Sequence, residues 1–284
     1  MKPKLIVTMQ DYSSMLKRAK ADTNCAVEIW AEILPQFFGS RLDYVYAKGS
    51  ALKNWDSHID YVPTISDVDI HIGLKDDEPL FRNNPDDFDL AVSLSRQCED
   101  EFLRRRPNNF HIPRMQVIET RFLLQNEKYT PPRPQDIQKL YGEPHLQELP
   151  SPDKIRAGDL ERIFDEKEFL DDLPRRILDR TGLDWWAIIR AMCWRISPAP
   201  VRILTQTHPD PIEVWSWNRT TIHKELLKEG YDTIASYYYG FYDSGWDLFL
   251  SEFKGLSEFR AVTTNGYYLL IECMKEAHRI SPRS

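Results

Sequence analysis

Two segments of this chain alternate at every second position, while most of the rest repeats at every third or fourth. Leu42, Tyr44 and Tyr46 alternate with Asp43 and Val45, and Lys48-Gly49-Ser50 then reads as a strand meeting a tight turn. After an irregular connection over 51–65, Val68, Ile70 and Ile72 alternate with Asp67, Asp69 and His71. Short period-two segments set among helical ones restrict the chain to an α+β fold, a short β-sheet with flanking helices followed by an α-helical domain.

The helical spacing of Leu16, Ala19, Ala26, Trp30, Ile33 and Leu34 predicts a helix over 14–34, closed near Pro35. A second helix is expected over 86–106. A third strand is expected over 112–123, where Met115, Val117 and Ile118 are apolar. Prolines at 131, 132, 134, 144, 150 and 152 remove backbone donors and break regular structure. The expected organisation is therefore an α+β domain over 1–130, which also carries the candidate site residues, a proline-rich connection over 131–158 and a helical domain over 159–284. Within the last, helices are expected over 160–177, 184–195, 220–228, 231–239, 246–253 and 266–278, with Gly182 as a helix stop.

No apolar run approaches the about 20 residues that span a bilayer, so no membrane partner is expected. Residues 1–7 lack the apolar core of a secretory signal, and cytoplasmic residence is expected. Cys25, Cys98, Cys193 and Cys273 show neither a Cys-x-x-Cys nor a nearby histidine pair, and read as buried thiols. A net charge of -7 argues against a broad nucleic-acid face. A small-molecule partner is then expected, with RNA or protein left open.

The chemistry concentrates in Lys48-Gly49-Ser50 and Asp67-Val68-Asp69-Ile70-His71-Ile72. On a strand, Asp67 and Asp69 point the same way, and two adjacent carboxylates are relieved by a divalent cation. Oxygen ligands suit Mg2+ or Mn2+. A glycine between strand and helix lets backbone amides approach a phosphate at the helix N-terminus, and Ser50 adds a hydroxyl. Lys53 would then stand one turn into that helix, its cation near the phosphate.

These residues resemble the signature of the DNA polymerase beta-like nucleotidyltransferase superfamily, an apolar residue, Gly-Ser, a spacer and an alternating Asp-x-Asp. The element order is similar to the aminoglycoside nucleotidyltransferase type. The resemblance is close over 42–74 and diffuse elsewhere. It implies a nucleotidyltransferase fold, with Gly49 and Ser50 holding a nucleoside triphosphate, ATP the expected one, and Asp67 and Asp69 binding the metals of a two-metal transfer of a nucleoside monophosphate to a hydroxyl acceptor.

The family's third carboxylate has no obvious counterpart, because Gln116 takes the apolar-flanked position on the third expected strand. Glu119 is the nearest acid and is the candidate for the third catalytic residue. Gln116 and Glu119 face opposite ways on an ideal strand, so a bulge is needed to bring Glu119 in. The rival reading is a catalytically inactive nucleotide-binding or regulatory relative. His71 is expected as a hydrogen-bonded strand histidine, and Asp56, His58 and Asp60 as loop polars. Residues 215–221 are expected to supply core aromatics and a helix cap.

Overall fold

The structure is a computed structural model that describes residues 9–126, 129–179 and 182–281, so the expectation drawn from residues 1–7 lies outside the described residues. Its contacts form two compact units. The first takes the described residues up to Lys53 and then Ser66–Glu148, and the second takes Asn54–Ile65 and the described residues from Leu149 onward. The segment 131–158 expected as a connection is thus shared between them.

In the first unit, α1 (Met9–Phe38) buries Ala19, Ala26, Ile29, Ile33 and Leu34. It runs past Pro35, whose missing donor does not end it, and stops where Gly39 adopts a φ of 55°. β1 (Leu42–Lys48), β2 (Asp67–Leu74), β3 (Arg114–Glu119) and β4 (Gln138–Tyr141) form one mixed sheet in the order β3-β2-β1-β4. β1 is antiparallel to β2 and β4, while β3 runs parallel to β2. A parallel return needs a crossover, and α2 (Pro85–Arg105), capped by Asn84, supplies it. The third strand is shorter than expected because the chain turns into α3 (Thr120–Leu124) directly after Glu119. Val45, Ala47, Val68, Ile70 and Ile72 are fully buried, which fixes the opposite side of β2 as the aspartate face.

Asp22 on α1 sets the approach to β3. Burial alone would raise its carboxyl, but hydrogen bonds from His111, Phe110 and Arg106 outweigh burial and hold it down at about 2. The loop entering β3 is tied to α1 by these bonds, and with it the register of Arg114 and Gln116.

The second unit contains α4 (Pro152–Phe164), α5 (Lys167–Leu178), α6 (Trp185–Ile196), α7 (Ala199–Leu204), α8 (Pro211–Ser216), α9 (Arg219–Lys228), α10 (Asp232–Leu250) and α11 (Leu256–Ile280). Where two helices were expected between 231 and 253, α10 is continuous. Its Gly240 and Gly245 permit close packing, since a Cβ on Gly245 would stand 2.5 Å from Ile65 Cδ1 and one on Gly240 2.9 Å from Asn265 Oδ1. Asn218 caps α9 by accepting from the Thr221 amide, as expected, whereas Trp215 and Trp217 are half-buried instead of core residues, the Trp215 indole donating to Asp159. No helix among the described residues is long and apolar enough to cross a membrane.

Residues 54–65 belong to this second unit although they lie between β1 and β2 in sequence. Tyr61 and Val62 are fully buried, and Trp55 stacks on Tyr61. Arg219 Nη1 donates to the Ile59 carbonyl at 3.1 Å, and Trp246 Nε1 donates to the His58 carbonyl at 2.7 Å. His58 Nε2 meets Asp243 Oδ1 at 3.0 Å. Asp60 accepts from the Asp56 and Ser57 amides and from the amide and hydroxyl of Thr220. The alternation of Asp56, His58 and Asp60 is therefore a means of anchoring a strap, with no ligand needed to explain it.

Candidate active site

Antiparallel pairing sets Lys48 opposite Asp69 and Tyr46 opposite His71, so the Gly49 turn emerges beside the Asp69 carboxylate. The contact is intimate. Gly49 has a φ of 93°, and a Cβ built on it would stand 2.5 Å from Asp69 Oδ2. Leu52 N donates to Gly49 O at 3.2 Å and closes the turn, with Ser50 half-buried inside it.

The turn does not open a helix, contrary to expectation. Residues 50–57 run on as turns and loop, and the next helical residues are the single 3-10 turn His58–Asp60. Lys20 Nζ donates to Ala51 O at 2.6 Å and Lys53 O at 3.4 Å, so backbone that a helix would consume is bonded to α1 instead. Lys53 accordingly stands in a loop, and the turn after β1 offers its backbone amides without a helix terminus behind them.

Substituting Gly49 with alanine should displace the Asp69 carboxylate as well as strain a left-handed backbone. The expected result is a fall in Tm of roughly 2–10 °C and, on a nucleotide-binding reading of the turn, weakened binding of Mg2+ and triphosphate in calorimetry. Normal triphosphate affinity in this variant would reduce Gly49 to a turn residue.

On the other side of β2, unbroken parallel register sets Arg114 beside Asp67, Gln116 beside Asp69 and Glu119 beside Ile72. The sheet therefore brings Asp67, Asp69 and Gly49 together and does not bring Glu119. With no bulge in this pairing, Glu119 faces away from the aspartates; it accepts from Leu80 N at 3.0 Å and pairs with Arg121 at 2.5 Å. It is a buried anchor for the loop after β2. Gln116, exposed, holds the position on the aspartate face.

Burial, followed by the charge of Asp67, pushes the Asp69 carboxyl well above the usual range, and Lys48 and Arg114 only partly offset this. Asp67 is ion-paired with Arg114 Nη2. Lys48 Nζ donates to the Tyr129 hydroxyl at 3.2 Å and lies over its ring. His71, 1% exposed, stacks on Tyr46 with 4.9 Å between ring centroids, and neither ring nitrogen has a hydrogen-bond partner. The hydrogen-bonded histidine expected there is not what forms. Burial, with a contribution from Lys48, drives its imidazole down to about 2, so it stays neutral and takes no proton at working pH.

Among the described residues no cluster of three or more His, Cys, Asp or Glu side chains is arranged to hold a metal. Two carboxylates are nevertheless a donor set that suits Mg2+, which is commonly bound through one or two carboxylates with waters and substrate phosphates completing its octahedron. The raised Asp69 carboxyl marks a place where added positive charge is favoured. Arg114 was not among the expected site residues; it lies within the expected third strand, and only its register beside Asp67 brings it to the aspartates. No protein-family model, curated protein or solved structure matches this chain.

Proposed function

We propose that this protein is a nucleotidyltransferase that moves a nucleoside monophosphate from a nucleoside triphosphate, ATP first, to a hydroxyl acceptor. The observation that carries the reading is the interlock of Gly49 with Asp69, which unites the two halves of the motif across antiparallel strands. Asp67 and Asp69 would hold the divalent ion. When bound, Mg2+ or Mn2+ supplies charge neutralisation to the α-phosphate and the departing pyrophosphate. The backbone amides of the Gly49-Ser50 turn, set beside the Asp69 carboxylate, would meet the triphosphate, and Lys48 adds a cation at its edge. The net charge of -7 favours a small acceptor over RNA. The cysteines among the described residues are free thiols, in keeping with a reducing cytoplasmic setting.

Gln116 beside Asp69 favours a second reading, a nucleotide-binding protein without turnover, because an amide accepts no proton at neutral pH. The deciding experiment incubates the protein with each labelled triphosphate and Mg2+ across small alcohols, peptides and RNA, following pyrophosphate release and label transfer. Gln116→Glu should raise turnover at least about tenfold by adding a base next to Asp69. Tight triphosphate binding with no transfer in either protein would favour the binding-only reading.

A further inference from the structure

Arg114 bears on how many ions the site takes. Its guanidinium is paired with Asp67, and the two side chains are only 24% and 27% exposed, so the contact is less screened than an open surface pair. Arg114 Nε is buried with no hydrogen-bond partner. A desolvated guanidinium donor left open is costly until an acceptor arrives, and the fork suits a phosphate oxygen. On the opposite side Lys48 faces Asp69. Two carboxylates therefore meet two fixed cations before any ligand binds.

Two-ion phosphoryl-transfer sites hold their ions roughly 3.5–4 Å apart and place four positive charges close together. Gln116, neutral, stands in register beside Asp69, where a third carboxylate would add compensating charge, and Glu119 is spent on Leu80 and Arg121. Resting on the nucleotidyltransferase reading, we propose that the site works with a single divalent ion on the aspartate pair and that Arg114 fills the place of the second cation, fixed by Asp67 and offering Nε to a triphosphate oxygen. Arg114 is then a substrate-binding residue whose charge also excludes a second ion.

Equilibrium dialysis of the full chain against Mn2+ and a triphosphate with a methylene α,β bridge reads both components, as retained Mn2+ per retained nucleotide. The wild type should retain one Mn2+ per nucleotide. Arg114→Gln should retain two, with nucleotide affinity lowered roughly tenfold or more. Arg114→Lys, which keeps the charge and loses the fork, should retain one ion while binding nucleotide more weakly, and it guards against a Gln variant that misfolds. Two ions in the wild type would overturn the proposal and leave the enzyme reading standing. A ratio of one in both wild type and Arg114→Gln would overturn the role given to Arg114. If no nucleotide is retained, or nucleotide is retained without Mn2+, the nucleotidyltransferase reading itself fails.

Discussion

Asp69→Asn is expected to lower turnover by about 10²–10³-fold, the effect of removing one preorganised charge-stabilising group, while the chain stays folded. Asparagine matches the carboxylate in size and fits against Gly49, and it removes the repulsion from Asp67. Stability gives an independent reading. The folded Asp69 carboxyl is raised, so its protonated form is favoured in the folded state, and the metal-free wild type loses that contribution as pH rises from the ordinary carboxylate range through the raised value. The variant has no such loss. Thermal melts without metal should therefore agree at about pH 4 and favour Asp69→Asn at about pH 8. Wild-type pyrophosphate release from this variant would sink the mechanism.

The second large effect is on folding. Asp60, 2% exposed, gathers four donors from two distant stretches of sequence, and alanine there leaves three part-buried amides and a hydroxyl without their acceptor. The expected cost is about 3 kcal/mol or more, on the order of a 10 °C fall in Tm. Thr220→Val removes a hydroxyl that donates to Asp60 and also bonds Ser57 Oγ, and should cost about 1–2 kcal/mol. An Asp60→Ala protein melting together with the wild type would show that residues 54–65 are not anchored through this carboxylate.

Much of the first unit is legible in sequence because its signals are local. The alternation in β1 and β2 reports a sheet with one apolar face, and face parity alone places Glu119 opposite Gln116. β4 carries no such signal, since Gln138 and Lys139 lie on an edge and the strand exists through pairing with β1. α7 and α8 are six residues each, too short for a periodic pattern to declare itself. The division of α10 expected near Gly240 failed for a long-range reason, because those glycines serve packing against Asn265 and Ile65. The missing helix after Gly49 has a similar cause in the bonds from Lys20 and the docking of 54–65. Of the site, residue types and spacing locate Gly49, Asp67 and Asp69. Arg114 escapes such a reading because its relation to Asp67 is a property of strand register.

The strap also imposes an order on synthesis. Trp246, which donates to the His58 carbonyl, lies 188 residues later in the chain. At ordinary elongation rates the ribosome needs about 10 to 40 seconds to cover that distance. Through this interval Tyr61 and Val62 have emerged without the helices that bury them. A nascent chain stalled before α9 carries both halves of the Gly-Ser and Asp-x-Asp motif with the segment between them unanchored. Any truncation or split that withholds residues 219–250 therefore reaches the loop joining Gly49 to Asp67, although the cut lies more than 150 residues downstream of that loop.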